Sequence, residues 1–205
     1  MPALDQAAFF PVSLNLMGRR CVVIGERDDR EAIEKEEALR ESGADVLWIT
    51  EPATLRDQDV IDAFFVISTP QDAQLSARLR ALADRHRFLL CCIDQPQFGF
   101  VAMAAIAKAG PVRVAISTTG LAPRVGKRMK IRLQRAMDAT FARFIECLAT
   151  QKTRVKRAHP GADQSAVRRK AMIDAAEGFD LEVNFSYPQW FEEELEGMRP
   201  RAARR

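Results

Sequence analysis

The chain has 205 residues, 47% of them hydrophobic and 29% charged, with a formal net charge of +3. That length suits one sizeable domain plus a smaller appendage, and the apolar fraction excludes a disordered chain. No apolar run approaches the ~20 residues of a membrane-spanning helix, and MPALDQAAFF lacks the basic and long apolar parts of a secretory signal, so a soluble, cytoplasmic protein is expected.

In chain order, Cys21-Val22-Val23-Ile24 is a short apolar run ending at Gly25, the pattern of a strand covered on both faces. Residues 28–42 are charged, with Ile33, Ala38 and Leu39 as apolar positions and Gly43 behind them, which predicts a helix with a glycine stop. Further strands are expected over 45–50, 64–68 and 89–93, with a helix over 71–87 that carries Leu75, Leu79 and Leu82. This alternation predicts an α/β fold, a Rossmann-like parallel sheet with right-handed crossovers. Residues 100–107 and 112–117 flank Lys108-Ala109-Gly110-Pro111 and predict a β-hairpin that closes the sheet.

Beyond Gly120 the pattern becomes helical. Val125, Met129, Leu133, Met137, Phe141, Phe144, Ile145 and Leu148 fall at steps of three and four, one apolar stripe on a single long helix. Pro160-Gly161 breaks it, two short helices are expected over 165–176 and 188–196, and residues 199–205 read as a frayed basic tail. The predicted organisation is a Rossmann-like NAD-binding-type domain over 1–120, a long helix and dimerisation region over 121–160, and a small C-terminal helical domain over 161–205. A stripe that long predicts a homodimer, because a domain with its own helices cannot easily cover it.

The small net charge hides a division. Residues 1–120 hold 13 Lys and Arg against 17 Asp and Glu, whereas residues 121–205 hold 18 against 11. The basic part is expected to face something anionic: nucleic acid, a membrane surface or a polycarboxylate. The four cysteines, Cys21, Cys91, Cys92 and Cys147, form no C-x-x-C pair and read as buried free thiols. With only His86 and His159 to join them, a transition-metal site is not expected.

An open α/β sheet binds ligands beyond the carboxyl ends of its strands. The first such end reads Gly25-Glu26-Arg27-Asp28-Asp29-Arg30, which keeps the first glycine of G-x-G-x-x-G and none of the later ones. Its carboxylates repel a pyrophosphate unless Arg27 or Arg30 compensates. Glu51, just past the second strand, suits the acidic residue that takes the ribose hydroxyls of NAD, and an acidic residue there also suits a helix cap.

The stretch CCIDQPQFGFVAMAAIAKAGPVRVAISTTGLAPRVG, residues 91–126, resembles the precorrin-2 dehydrogenase/sirohydrochlorin ferrochelatase family, the N-terminal module of siroheme synthase. The shared parts are Asp94 with Pro96, the hairpin around Gly110-Pro111, and Ser117-Thr118-Thr119-Gly120 with Pro123. Phe10-Pro11-Val12 before Leu14 and Leu16 resembles the family's first strand, and Arg154-Val155-Lys156 with Ala166-Val167-Arg168-Arg169 its helical tail. The resemblance implies two reactions, NAD-dependent dehydrogenation of precorrin-2 to sirohydrochlorin and insertion of Fe2+ as substrate metal. It assigns Asp94 the central role in both, as a general base. A partly desolvated carboxylate at a strand end suits that role, while the alternative is that Asp94 merely orders the turn before Pro96.

On the cofactor side the implied residues are Gly25, Glu51 and Thr69. The loop departs from the pattern in its missing glycines and in being about two residues longer than the usual spacing, and Cys91 replaces the family's Asn. Metal insertion needs no dinucleotide, so the chelatase reaction is the less affected. On the substrate side, Arg124, Lys127 and Arg128 at the start of the long helix are expected to clamp carboxylates of an eight-carboxylate tetrapyrrole. The alternative is a solvated helix face. Ser117 and Thr118 are expected to donate to substrate or cofactor, or else to cap the helix. Nucleic acid is not an expected partner, since the basic segment lacks interleaved aromatics and a helix-turn-helix or RRM pattern. Two other functions fit these residues: a non-catalytic tetrapyrrole-binding relative and a Rossmann oxidoreductase with another substrate.

Overall fold

Successive side chains of a strand point to opposite faces, so a strand covered on both sides must be apolar throughout. The computed structural model describes residues 9–198 and shows four such strands. They are β1 (Arg20–Ile24), β2 (Asp45–Ile49), β3 (Phe65–Ser68) and β4 (Leu89–Cys92), all parallel, in the order β2-β1-β3-β4. On one face Val22, Ile24, Val66, Leu90 and Cys92 pack with Leu79, Leu82 and Ala83 of helix α3 (Ala73–His86). On the other, Cys21, Val23, Phe65, Ile67 and Cys91 pack with Ala32 and Leu39 of helix α1 (Arg30–Glu41). The result is helix, sheet, helix, as the alternation predicts. A single helical turn, α2 (Gln58–Ile61), lies between β2 and β3.

Each main helix has a local start and stop. Asp72 accepts from the backbone N–H of Gln74 and Leu75 at 2.8 and 3.1 Å, and Arg87 ends α3 at φ +66°. Asp29 caps α1 by accepting from Glu31 N–H at 2.9 Å, and Gly43 follows its end at φ +79°, where glycine carries no Cβ penalty.

The hairpin, β5 (Ala105–Ala109) and β6 (Val112–Ile116), is a separate two-stranded antiparallel sheet and does not close the parallel one. The free edge of β4 is met first by the residues just upstream. Backbone N–H groups of Phe100 and Val101 both donate to Leu90 O, at 2.8 and 3.0 Å. Gly99 permits that approach, for a Cβ there would lie 3.1 Å from the same oxygen. The first hairpin strand therefore begins at Ala105 rather than at residue 100.

The expected long helix is two helices, α4 (Pro123–Ala136) and α5 (Ala139–Ala158). Asp138 separates them: its carboxylate accepts from Phe141 N–H at 2.9 Å and caps the start of α5. Asp138→Ala should cost about 1 kcal/mol, the worth of a lost N-cap, read as an earlier thermal melt and reduced helical ellipticity. Gln134 ties α4 to the hairpin, accepting from Lys108 N–H at 2.9 Å and donating to Lys108 O at 2.6 Å.

Of the sequence before β1, Phe10, Val12 and Leu14 are exposed and form no strand, while Leu16 is buried. The chain divides into two compact units, one ending at Ala142 and the other beginning at Arg143. The second holds the remainder of α5, α6 (Ser165–Ala175) and α7 (Gln189–Met198). Within it Phe144 stacks on Phe179 at 5.3 Å. Phe179, Leu181, Val183, Phe185 and Tyr187 alternate with other residues in strand fashion, yet form no strand, and each is more than half exposed. The expected tail over 199–205 lies outside the described residues. Among the described residues no helix is long and apolar enough to cross a membrane.

Candidate functional site

The strand order sets where a ligand can lie. The connections out of β1 and β3 run in opposite directions across the sheet, to β2 on one side and β4 on the other, so a crevice opens beyond their carboxyl ends. Gly25 follows β1 and Thr69 follows β3 at that point. Thr69 N–H donates to Ile24 O at 3.0 Å, and its hydroxyl reaches the same oxygen at 3.3 Å and the Asp29 carboxylate. Gly25 is the one residue type that fits its place: a Cβ would lie 2.3 Å from Thr69 Oγ1 and 2.7 Å from the Ala32 Cβ. That bareness lets α1 pack closely on the end of β1.

Glu51 follows β2 and is exposed. Its side chain makes no cap bond to the 3-10 turn over Pro52–Thr54, so the capping alternative does not hold. It lines a cleft of about 540 Å3 together with Trp48, Thr50, Thr54, Arg56 and Asp59. Arg56 pairs with Asp59 at 2.8 Å and holds that carboxyl below its ordinary range.

Asp94 stands two residues past β4 at φ +57°, a left-handed backbone that Asp tolerates better than most residues. Its Oδ2 accepts from Gln71 Nε2 at 3.3 Å, from the turn after β3. That bond reaches across to the neighbouring strand end, so the side chain does not serve the turn before Pro96. The expected desolvation is absent, because Asp94 is exposed. Gln71 is the partner that the sequence did not single out; position alone, two residues past Thr69, was its signal. Ser68 Oγ and Gln95 Oε1 are buried beside this edge with no hydrogen-bond partner, and buried polar atoms are usually satisfied.

The expected substrate residues form a second group. Arg124, Lys127 and Arg128 are exposed on the first turns of α4. Gly126 between them packs on Thr118, where a Cβ would meet Thr118 Cγ2 at 3.4 Å. Ser117 Oγ accepts from Thr119 N–H at 3.2 Å, and Ala122 stands at the N-cap of α4 with no side-chain cap bond, so neither Ser117 nor Thr118 caps it. Among the described residues no hydrogen bond or ion pair joins this group to Asp94.

A model of a putative NAD(P)-binding family matches residues 12–105. Siroheme synthase of Nitrosococcus oceani is 24% identical over 166 residues, 72% of this chain and 35% of that protein. Siroheme synthase of Ectopseudomonas mendocina is 26% identical over 215 residues, 95% of this chain and 46% of that protein. Precorrin-2 dehydrogenase of Bacillus subtilis is 29% identical over 91 residues, 44% of this chain and 56% of that protein. Among solved structures, the precorrin-2 dehydrogenase SirC superposes with a TM-score of 0.63 at 17% identity, over 83% of this chain and 90% of that one, and shares the fold. The chain is thus similar to siroheme synthases and precorrin-2 dehydrogenases in sequence, and to SirC in fold. It spans 33 to 44% of the first siroheme synthases it matches.

The fit to NAD is uneven along the crevice. The close Gly25–Ala32 approach and the open cleft at Glu51 suit a dinucleotide with its ribose at Glu51. Between them the N-terminus of α1 is capped by the Asp29 carboxylate, which does not suit a pyrophosphate at that helix end.

Three of the four cysteines serve the core. Cys21, Cys91 and Cys92 are buried, and burial pushes the Cys91 thiol up to about 12 and the other two upward. Cys147 on α5 is exposed, contrary to the expectation of four buried thiols. Alkylation of the native protein near neutral pH should therefore modify Cys147 alone at an appreciable rate, with the other three following only on unfolding. Mass-resolved labelling checks it, and fast labelling of Cys91 or Cys92 would contradict the packing. Among the described residues no group of His, Cys, Asp and Glu is arranged to hold a metal ion.

Proposed function

We propose that this chain works in siroheme-type tetrapyrrole biosynthesis as an NAD-dependent dehydrogenase of precorrin-2, with Asp94 as the general base. The observation that carries the reading is Asp94 itself. It is an exposed carboxylate in a left-handed backbone, held by Gln71 at the same sheet edge as Gly25 and Thr69. Backbone conformations of this kind cluster where side-chain placement serves chemistry. The relatives named precorrin-2 dehydrogenase and siroheme synthase support the substrate class.

Dehydrogenation removes a hydride and a proton from the macrocycle. NAD, when bound with its ribose at Glu51, supplies the hydride acceptor. Asp94 takes the proton, and Gln71 fixes the receiving oxygen by donating to Oδ2. Arg124, Lys127 and Arg128, with Ser117 and Thr118, hold the acetate and propionate groups, Arg by bidentate pairing. A second reading, insertion of Fe2+ into sirohydrochlorin, uses the same carboxylate to accept pyrrole protons. The homodimer belongs to the proposal too, supported by exposed Val125 and Ile131 on α4 and by the lack of any fully buried residue on α5. The functional division in this proposal is a cofactor part over 1–120, a dimer and substrate part over 121–160 and a helical part over 161–205.

The test is anaerobic incubation with precorrin-2 and NAD, following NADH formation. NADH with stoichiometric sirohydrochlorin is the expected result. No NADH, with metal insertion when sirohydrochlorin and Fe2+ are supplied, would replace the first reading by the second. Saturable tetrapyrrole binding with neither reaction would leave a binding protein.

A further inference from the structure

The N-terminal N–H groups of a helix and the positive end of its dipole form a ready anion site, and in dinucleotide-binding folds the pyrophosphate takes it. At α1 that place already holds an anion. One carboxylate oxygen of Asp29 accepts from Glu31 N–H at 2.9 Å, and the other receives the Thr69 hydroxyl. Both oxygens are engaged, one by the helix and one by the turn after β3. The carboxylate also lies beside the first glycine of the loop: a Cβ on Gly25 would be 3.3 Å from Asp29 Oδ2. The loop offers little compensation. Arg30 pairs with Glu34 at 3.1 Å in an exposed contact, and Glu26 and Asp28 add exposed negative charge on either side of Arg27.

We propose that Asp29 is a tethered anion standing in the pyrophosphate position, so that this chain binds a dinucleotide only by displacing its own carboxylate. The inference rests on the dinucleotide reading of the domain and makes Asp29 the residue that sets its affinity. Two anions cannot share one helix end, so the energy that binds pyrophosphate is reduced by that of the bonds Asp29 gives up. The effect is specific to phosphate. A nucleoside occupying the cleft at Glu51 does not reach the helix end and is indifferent to Asp29.

Asp29→Ser and Asp29→Asn remove the charge while keeping a side chain able to cap α1. Isothermal titration calorimetry with NAD and, separately, with adenosine compares both variants with the wild-type chain, with circular dichroism confirming an unchanged fold. Both variants should bind NAD about tenfold more tightly than wild type, with adenosine affinity unchanged in all three. Equal NAD affinity in the three proteins would overturn the inference and leave the dinucleotide reading standing. Equal tightening toward adenosine would also overturn it, since the effect would not depend on phosphate. Failure of all three to bind NAD would instead sink the dinucleotide reading, and the inference with it.

Discussion

On the proposed role of Asp94 as general base, Asp94→Asn is expected to lower the dehydrogenase kcat by roughly 100- to 10,000-fold, the usual contribution of such a group. Asn is the informative substitution because it tolerates the left-handed backbone at φ +57° and can still accept from Gln71. A loss of rate in that variant therefore reports the missing base. Asp94→Gly provides the complementary reading. It removes the carboxylate and relieves the backbone, so it should be equally inactive and no less heat-stable than the wild-type chain. Retention of wild-type kcat by the Asn variant, measured with precorrin-2 and NAD at saturation, would remove Asp94 from the chemistry.

Leu79→Ala has the largest expected effect on stability. Leu79 is fully buried in α3 and packs with the β1, β3 and β4 residues of one sheet face. Truncation loses the transfer energy of the side chain and leaves a cavity that a close-packed sheet cannot collapse, about 2–5 kcal/mol in all. At roughly 3 °C per kcal/mol, the melt of the sheet-containing unit should fall by roughly 6–15 °C. The loss has a functional side. α3 begins at Ala73, directly after Gln71 and its cap Asp72, so the helix that Leu79 anchors also places the partner of Asp94. Val167→Ala, at a residue left 49% exposed, is the control and should change stability by less than about 0.5 kcal/mol. A Leu79→Ala protein that melts with the wild type would contradict the packing described for this face.

Local patterns carried much of the architecture. Runs such as Cys21-Val22-Val23-Ile24 and Leu89-Leu90-Cys91-Cys92 are apolar at every position because helices cover both faces of the sheet. That requirement is visible in one dimension. Gly43 marked the end of α1 because a left-handed position favours glycine whatever surrounds it. The break at Asp138 was equally local, but the stripe running from α4 into α5 masked it: apolar spacing survives a two-residue interruption, and the cap is a single hydrogen bond. The hairpin's detachment was not local at all. It follows from Phe100 and Val101 reaching Leu90 O, a contact between segments that spacing cannot foresee.

The candidate site divides in the same way. Gly25 and Glu51 could be named from strand-end position, where such sheets bind ligands, whereas Thr69 and Asp94 were named through the family resemblance. The charge division near Gly120 was also legible, and it separates the strand-end residues from the Arg124, Lys127 and Arg128 group. What each strand-end carboxylate does required the tertiary structure. Asp94 is exposed and bonded to Gln71, Glu51 faces an open cleft without capping, and Asp29 bridges α1 and Thr69 where a phosphate would lie. Sequence determines which residues stand at the ends of strands, since strand and turn propensities act over a few neighbours. Only the fold decides what a carboxylate meets there, because its partners come from other strands, more than twenty residues away along the chain for Gln71 and Asp94 and forty for Asp29 and Thr69.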